Sequence, residues 1–146
     1  MIGVNIKSTP IDILEKVALS HQEIDNFYQL LSISDDTHSE HLFKDSFIVS
    51  TCNRTEIYCL AQKEKNCAAT LATTLEKVVG AHRFPPKSHW YEKFGTESVQ
   101  HLFRVACGLD SMIVGEAQIT GQMKSALARR QSDTQMSPAF DAITRH

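Results

Sequence analysis

The chain has 146 residues, 42% hydrophobic and 22% charged, ordinary figures for one compact domain with a core of its own. A net charge of −2 and a pI near 6.4 leave no basic footprint for nucleic acid, so such a contact has to be local or made by another part of a larger protein. No apolar run is long enough to span a membrane, and residues 1–6 are too short and lack the basic leader of a signal peptide, so the cytoplasm is the expected location.

In chain order, residues 1–6 read as a first strand. Pro10 can open a helix with Ile13, Leu14, Val17 and Ala18 on one face. Ser20 is a credible N-cap for a second helix, in which Ile24, Phe27, Tyr28 and Leu31 recur at helical spacing. Residues 32–40 are polar and read as a loop. Phe47-Ile48-Val49 and Ile57-Tyr58-Cys59-Leu60, rich in β-branched and aromatic residues, read as two strands. Residues 66–79 are helical, with Gly80 as the stop. Residues 84–88 form a loop, and 89–94 read as a strand. The order β, α, β, β, α, β fits an α+β fold: a ferredoxin-like layer, an antiparallel sheet with helices on one face. Helices follow it. Thr96 can cap one in which Val99, Leu102, Phe103 and Ala106 form the apolar stripe and Gly108 is the C′ residue. Another runs from 116 to about 130, and Pro138 opens a last helical pattern that reaches His146 without a C-cap. A helix cut in mid-pattern is expected of a piece of something longer.

Three groups could carry chemistry. Between the two central strands stands Ser50-Thr51-Cys52-Asn53-Arg54-Thr55-Glu56. A guanidinium beside a thiol favours the thiolate, the nucleophilic form of cysteine. Cys52 is therefore a candidate nucleophile, and the alternative is a small buried apolar residue. His101 lies off the apolar stripe of its helix, where a solvated histidine is the ordinary expectation. Residues 111–122 place Gly115 and Gly121 in a helical stretch, where each costs about 1 kcal/mol relative to alanine. Either close approach by a backbone or ligand, or simple helix packing, would account for them. The four cysteines form no Cys-x-x-Cys pair, and the seven histidines do not fall at ligand spacing with them, so neither disulfides nor a metal site are expected.

The heptad with Ile57-Tyr58 resembles the active-site signature of the glutamyl-tRNA reductases. His101-Leu102-Phe103-Arg104-Val105-Ala106, Gly108-Leu109-Asp110-Ser111-Met112, Gly115-Glu116-Ala117-Gln118-Ile119 and Gly121-Gln122 are similar to that family's second signature in order and spacing. Gly3-Val4-Asn5-Ile6-Lys7-Ser8-Thr9-Pro10 looks like its opening strand and turn. The resemblance implies an N-terminal catalytic domain over 1–137, with 138–146 beginning a spinal helix toward NADPH-binding and dimerisation domains that this chain lacks. It has no Gly-x-Gly-x-x-Gly fingerprint, so NADPH is expected of the full-length enzyme and not of this chain.

The activity implied is conversion of glutamyl-tRNA to glutamate-1-semialdehyde, the first step of the five-carbon route to tetrapyrroles, by way of a thioester. By resemblance Cys52 is the nucleophile and His101 acts in proton transfer or in orienting the carbonyl. Thr51, Asn53, Arg54, Ser111, Glu116, Ala117, Gln118 and Gln122 match substrate positions. Implied partners are glutamyl-tRNA, a second copy in a homodimer, and glutamate-1-semialdehyde aminomutase, with no membrane. Two departures stand out: Ile6 where the family usually has histidine, and Ala117 where threonine is common. Two other readings compete with the catalytic one: a docking module for tRNA or protein that does no chemistry, and a small cysteine-dependent esterase.

Overall fold

The computed structural model describes residues 1–36, 42–61, 66–111, 117–133 and 137–144. The chain divides into two compact units, Met1–Glu92 and Lys93–His146.

The first unit contains β1 (Ile2–Asn5), α1 (Ile11–Val17), α2 (His21–Asp36), β2 (Phe43–Thr51), β3 (Arg54–Ala61), α3 (Cys67–Val79) and β4 (Tyr91–Glu92). The strands form one sheet in the order β2-β3-β1-β4, and every pairing is antiparallel. Side chains alternate across a strand, so residues two apart share a face. Ile2, Val4, Ile48 and Ile57 face one way and join Leu14, Phe27, Leu31, Leu71 and Leu75 of the helices in a single apolar core. Each such side chain contributes about 1.5–3 kcal/mol by leaving water.

The helix ends are set by side chains. Ser20 and Glu23 form a reciprocal capping box: the Glu23 N–H donates to Ser20 Oγ at 3.3 Å and the Ser20 N–H to Glu23 Oε2 at 2.8 Å. Arg83 closes the end of α1, with Nε donating to the Lys16 carbonyl at 2.6 Å and Nη2 to that of Ala18 at 3.1 Å. Its Nη1 is ion-paired with Glu23, so one guanidinium ties the end of α1 to the start of α2. On the edge strand β2, the Ile48 N–H donates to the Tyr28 hydroxyl at 3.1 Å, which removes a free donor from that edge. Asn66, with φ 74°, precedes α3, and Gly80, with φ 80°, ends it as expected.

Two expectations for this unit need correction. The helix of α2 continues through Asp36, so 32–36 is not loop; the rest of that polar stretch, 37–40, lies outside the described residues. The expected strand at 89–94 shrinks to Tyr91–Glu92, preceded by a 3₁₀ turn at Lys87–His89. The cause is Trp90, which stacks on Phe84 with centroids 5.2 Å apart and donates its indole N–H to the Pro85 carbonyl at 3.1 Å. That ring is committed to the loop and cannot extend the strand.

The second unit contains α4 (Gly95–Ala106), α5 (Ala117–Asp133) and α6 (Pro138–Thr144). Helix α4 ends in a Schellman motif: Gly108 has φ 68°, its N–H bonds the Val105 carbonyl at 2.9 Å, and the Leu109 N–H bonds that of Arg104 at 2.8 Å. Thr120 Oγ1 then donates to the Ala106 carbonyl at 2.8 Å, linking α5 to the last turn of α4. Thr96 is not the cap. Gly95 has φ 49°, and the helix begins there, two residues sooner than a Thr96 cap would set it, after an extended Phe94. The apolar stripe is also displaced. Leu102 and Val105 are buried, but Phe103 is 41% exposed and His101 only 7%. No helix among the described residues is long and apolar enough to cross a membrane.

Candidate active site at the β2–β3 turn

Strands β2 and β3 are joined by the shortest of turns. Thr51 pairs with Arg54, leaving Cys52 and Asn53 to turn the chain. Cys52 is exposed at this tip, which excludes the reading of it as a small buried residue. Two hydrogen bonds hold the tip. The Asn53 N–H donates to Thr51 Oγ1 at 3.2 Å, and the Ile6 N–H donates to the Asn53 carbonyl at 3.0 Å. Ile6 is in place because Asn5 folds residues 5–8 into an Asx turn, its Oδ1 accepting from the N–H groups of Lys7 at 3.0 Å and Ser8 at 3.1 Å. The link from residue 6 is a backbone one, and the Ile6 side chain packs on the apolar core.

Alternation sorts the heptad into two groups. Ser50 and Thr55 face the helices. Their hydroxyls lie 3.0 Å apart, Thr55 Oγ1 donates to the Val17 carbonyl at 3.2 Å, and Ser50 Oγ accepts the Leu19 N–H at 2.9 Å. They anchor the end of α1. Thr51, Arg54 and Glu56 share the opposite face with Asn5, Tyr58 and Tyr91.

On that face Arg54 Nη1 donates to Glu56 Oε1 at 2.9 Å, with both side chains nearly or wholly out of solvent. The Tyr58 hydroxyl donates to Glu56 Oε2 at 2.6 Å, and the Tyr91 hydroxyl also donates to this carboxylate. Burial, together with the Glu56 charge and hydrogen bond, pushes the Tyr58 phenol well above its ordinary range, so it remains a donor. Beside it Phe47 stacks on the Tyr58 ring at 4.9 Å.

The cysteines are not equivalent. Cys52 and Cys107 are exposed, Cys59 is half-buried and Cys67 is buried. Burial pushes the Cys59 thiol up to about 11, which keeps it a neutral thiol near pH 7.

Of the remaining expected site residues, His101, Ser111, Gln118 and Gln122 belong to the second unit. His101 is buried, against the expectation of a solvated position. Ser111 follows the Schellman turn and is half-buried. Gln118 and Gln122 are one helical turn apart on α5, where side chains four apart share a face. Ala117 is the first residue of α5. Glu116 and Gly115 lie outside the described residues. Around Gly121, no described atom lies within 4 Å of where a Cβ would stand, so neither close approach nor tight packing among the described residues accounts for that glycine. Glu56 stands in the heptad and Asn5 in the opening motif, yet neither carries an expected role, and Tyr91 is in no motif. The spacing of Arg54 and Glu56, two apart on a strand, was the available signal for the first; Tyr91 has none, since only the fold brings it there.

Residues 2–146 match the family model for the N-terminal domain of glutamyl-tRNA(Glu) reductase. The chain belongs to that family. It is 38% identical over 143 residues to glutamyl-tRNA reductase from Pseudoalteromonas translucida, covering 97% of this chain and 32% of the relative. It is 41% identical over 129 residues to that from Magnetococcus marinus, covering 86% and 28%. The solved structure of glutamyl-tRNA reductase from Methanopyrus kandleri matches with a TM-score of 0.70 at 26% identity, over 99% of this chain and 31% of that one. This glutamyl-tRNA reductase N-terminal domain thus spans about a third of the length of the relatives it matches.

Proposed function

We propose that this domain takes the glutamyl group from glutamyl-tRNA onto Cys52, as the thioester-forming part of a glutamyl-tRNA reductase in tetrapyrrole biosynthesis. One observation supports this above the others: the exposed thiol at the tip of the β2–β3 turn, in a chain that matches the family model from residue 2 to its end.

The step balances without any added reactant. The Cys52 thiolate attacks the aminoacyl ester carbonyl, a carbon–sulfur bond forms, the carbon–oxygen bond to the tRNA ribose breaks, and the proton from the thiol leaves on the ribose hydroxyl. His101 is proposed to move that proton or to orient the carbonyl. Arg54 is proposed to meet the substrate's side-chain carboxylate. In so buried a setting a charge-assisted hydrogen bond is at its strongest. Thr51, Asn53, Ser111, Glu116, Ala117, Gln118 and Gln122 complete the proposed substrate positions.

The described residues do not fit NADPH. The sheet is antiparallel throughout and the sequence has no Gly-x-Gly-x-x-Gly turn, so neither feature of a dinucleotide crevice is present. Hydride transfer is therefore assigned to the part of the relatives' length that this domain does not span. The cytoplasmic location, the dimer and the contact with the aminomutase go with that longer protein in the same proposal.

The test is product analysis. Given glutamyl-tRNA alone, this chain should act as a slow esterase, releasing glutamate and free tRNA with water as the acceptor. Added NADPH should change neither rate nor product. Glutamate-1-semialdehyde formed by this chain alone would contradict the division of labour.

A further inference from the structure

We infer that Glu56 is a positioning residue for substrate selection: its buried carboxylate, pinned by the hydroxyls of Tyr58 and Tyr91, fixes the guanidinium of Arg54, two residues beyond Cys52 in the chain. The inference rests on the proposed function, which gives Arg54 the substrate's carboxylate.

The chain makes room for this carboxylate at the expense of a side chain. A Cβ on Gly3 would stand 2.7 Å from Glu56 Cγ, closer than real Cβ atoms come, and 3.1 Å from the Tyr91 hydroxyl oxygen, tighter than most such contacts. The donors are also accounted for. Tyr91 has a single hydroxyl proton, which it gives to Glu56, while its oxygen accepts from Asn5 Nδ2 at 3.2 Å. Asn5 Oδ1 is occupied by the turn that brings Ile6 to Asn53. One connected set of hydrogen bonds therefore holds both the turn that bears the thiol and the arginine two residues beyond it. A buried ion pair adds little stability over apolar residues of similar volume. What it supplies here is orientation. A free arginine side chain carries about 2 kcal/mol of rotamer entropy, and a guanidinium fixed beforehand loses less of it on binding a carboxylate. A guanidinium of set plane also favours a carboxylate over the neutral amide of the same shape.

The experiment measures acylation of Cys52 in this chain by glutamyl-tRNA and by the same tRNA charged with glutamine. The parent should prefer glutamate. Glu56→Gln should reduce that preference by about 10- to 100-fold, the range for a charge-assisted hydrogen bond. The rate at which iodoacetamide alkylates Cys52 should stay unchanged. Tyr91→Phe, which keeps the ring, should shift the preference the same way by less, and it decides the matter if Glu56→Gln does not fold. In combination with Arg54→Lys, Glu56→Gln should add no further loss, because both act through one guanidinium. Unchanged preference in the folded Glu56 and Tyr91 variants would overturn the positioning role and leave the proposed function standing. Additive losses would overturn the route through Arg54. A parent chain that is not acylated at all would overturn the proposed function and this inference with it.

Discussion

Cys52 differs from Cys59 in where it stands. It is exposed at a two-residue turn, whereas Cys59 is held as a neutral thiol by burial. With a value of about 11, Cys59 is thiolate in about one molecule in a thousand at pH 8. Iodoacetamide at pH 8 should therefore label Cys52 and Cys107 well before Cys59 and Cys67, as peptide mapping by mass spectrometry would read. Early labelling of Cys59 would contradict its burial. Two glycines make an opposed pair at the same scale. Gly3→Ala drives a methyl into Glu56 and should destabilise the domain by about 1–3 kcal/mol, the range for overpacking. Gly121→Ala meets open space on a helix and should stabilise by about 0.5–1 kcal/mol. Urea midpoints measure both, and equal signs would refute the contrast.

Among the elements, the joint between α1 and α2 carries a pH signature. Burial alone would raise the Glu23 carboxyl, but the hydrogen bond from Arg83 and those from Ser20 outweigh it and hold the group below its ordinary value. A carboxyl lowered in the folded state stabilises above its unfolded pKa, and that contribution disappears as pH falls through the lowered folded value. Stability followed by urea from pH 6 down to 3 should fall on the acid side, and Glu23→Gln should flatten that fall. An identical acid limb in the variant would remove Glu23 from the account. These elements were largely legible beforehand, because their determinants are local. Ser20 announces an N-cap, Gly80 and Gly108 announce helix ends, and Ile24, Phe27, Tyr28 and Leu31 mark one helix face. What failed depends on tertiary context. His101 and Phe103 exchange the sides expected of them because a helical wheel does not say which neighbours a helix meets. The strand at 89–94 is shortened by the Phe84–Trp90 stack, which the strand's own sequence does not contain. The candidate site divides in the same way. Cys52 and Arg54 stood out in the sequence, whereas the Glu56 carboxylate becomes part of the site only when β1 and β4 bring Gly3, Asn5 and Tyr91 against it.

At the scale of the whole molecule, the domain matches about a third of the length of its relatives, and among the described residues its sheet is antiparallel throughout. On the proposed function, acyl transfer is the chemistry to look for in this chain. The most direct measurement is mass spectrometry of the chain after incubation with glutamyl-tRNA and acid quenching, at low salt so that the weak contacts of an acidic domain with tRNA are not screened. The account predicts one glutamyl adduct on the peptide that contains Cys52, absent in Cys52→Ser and retained when Cys59, Cys67 or Cys107 is replaced by serine. An adduct that survives Cys52→Ser, or appears on Cys107 instead, would contradict it.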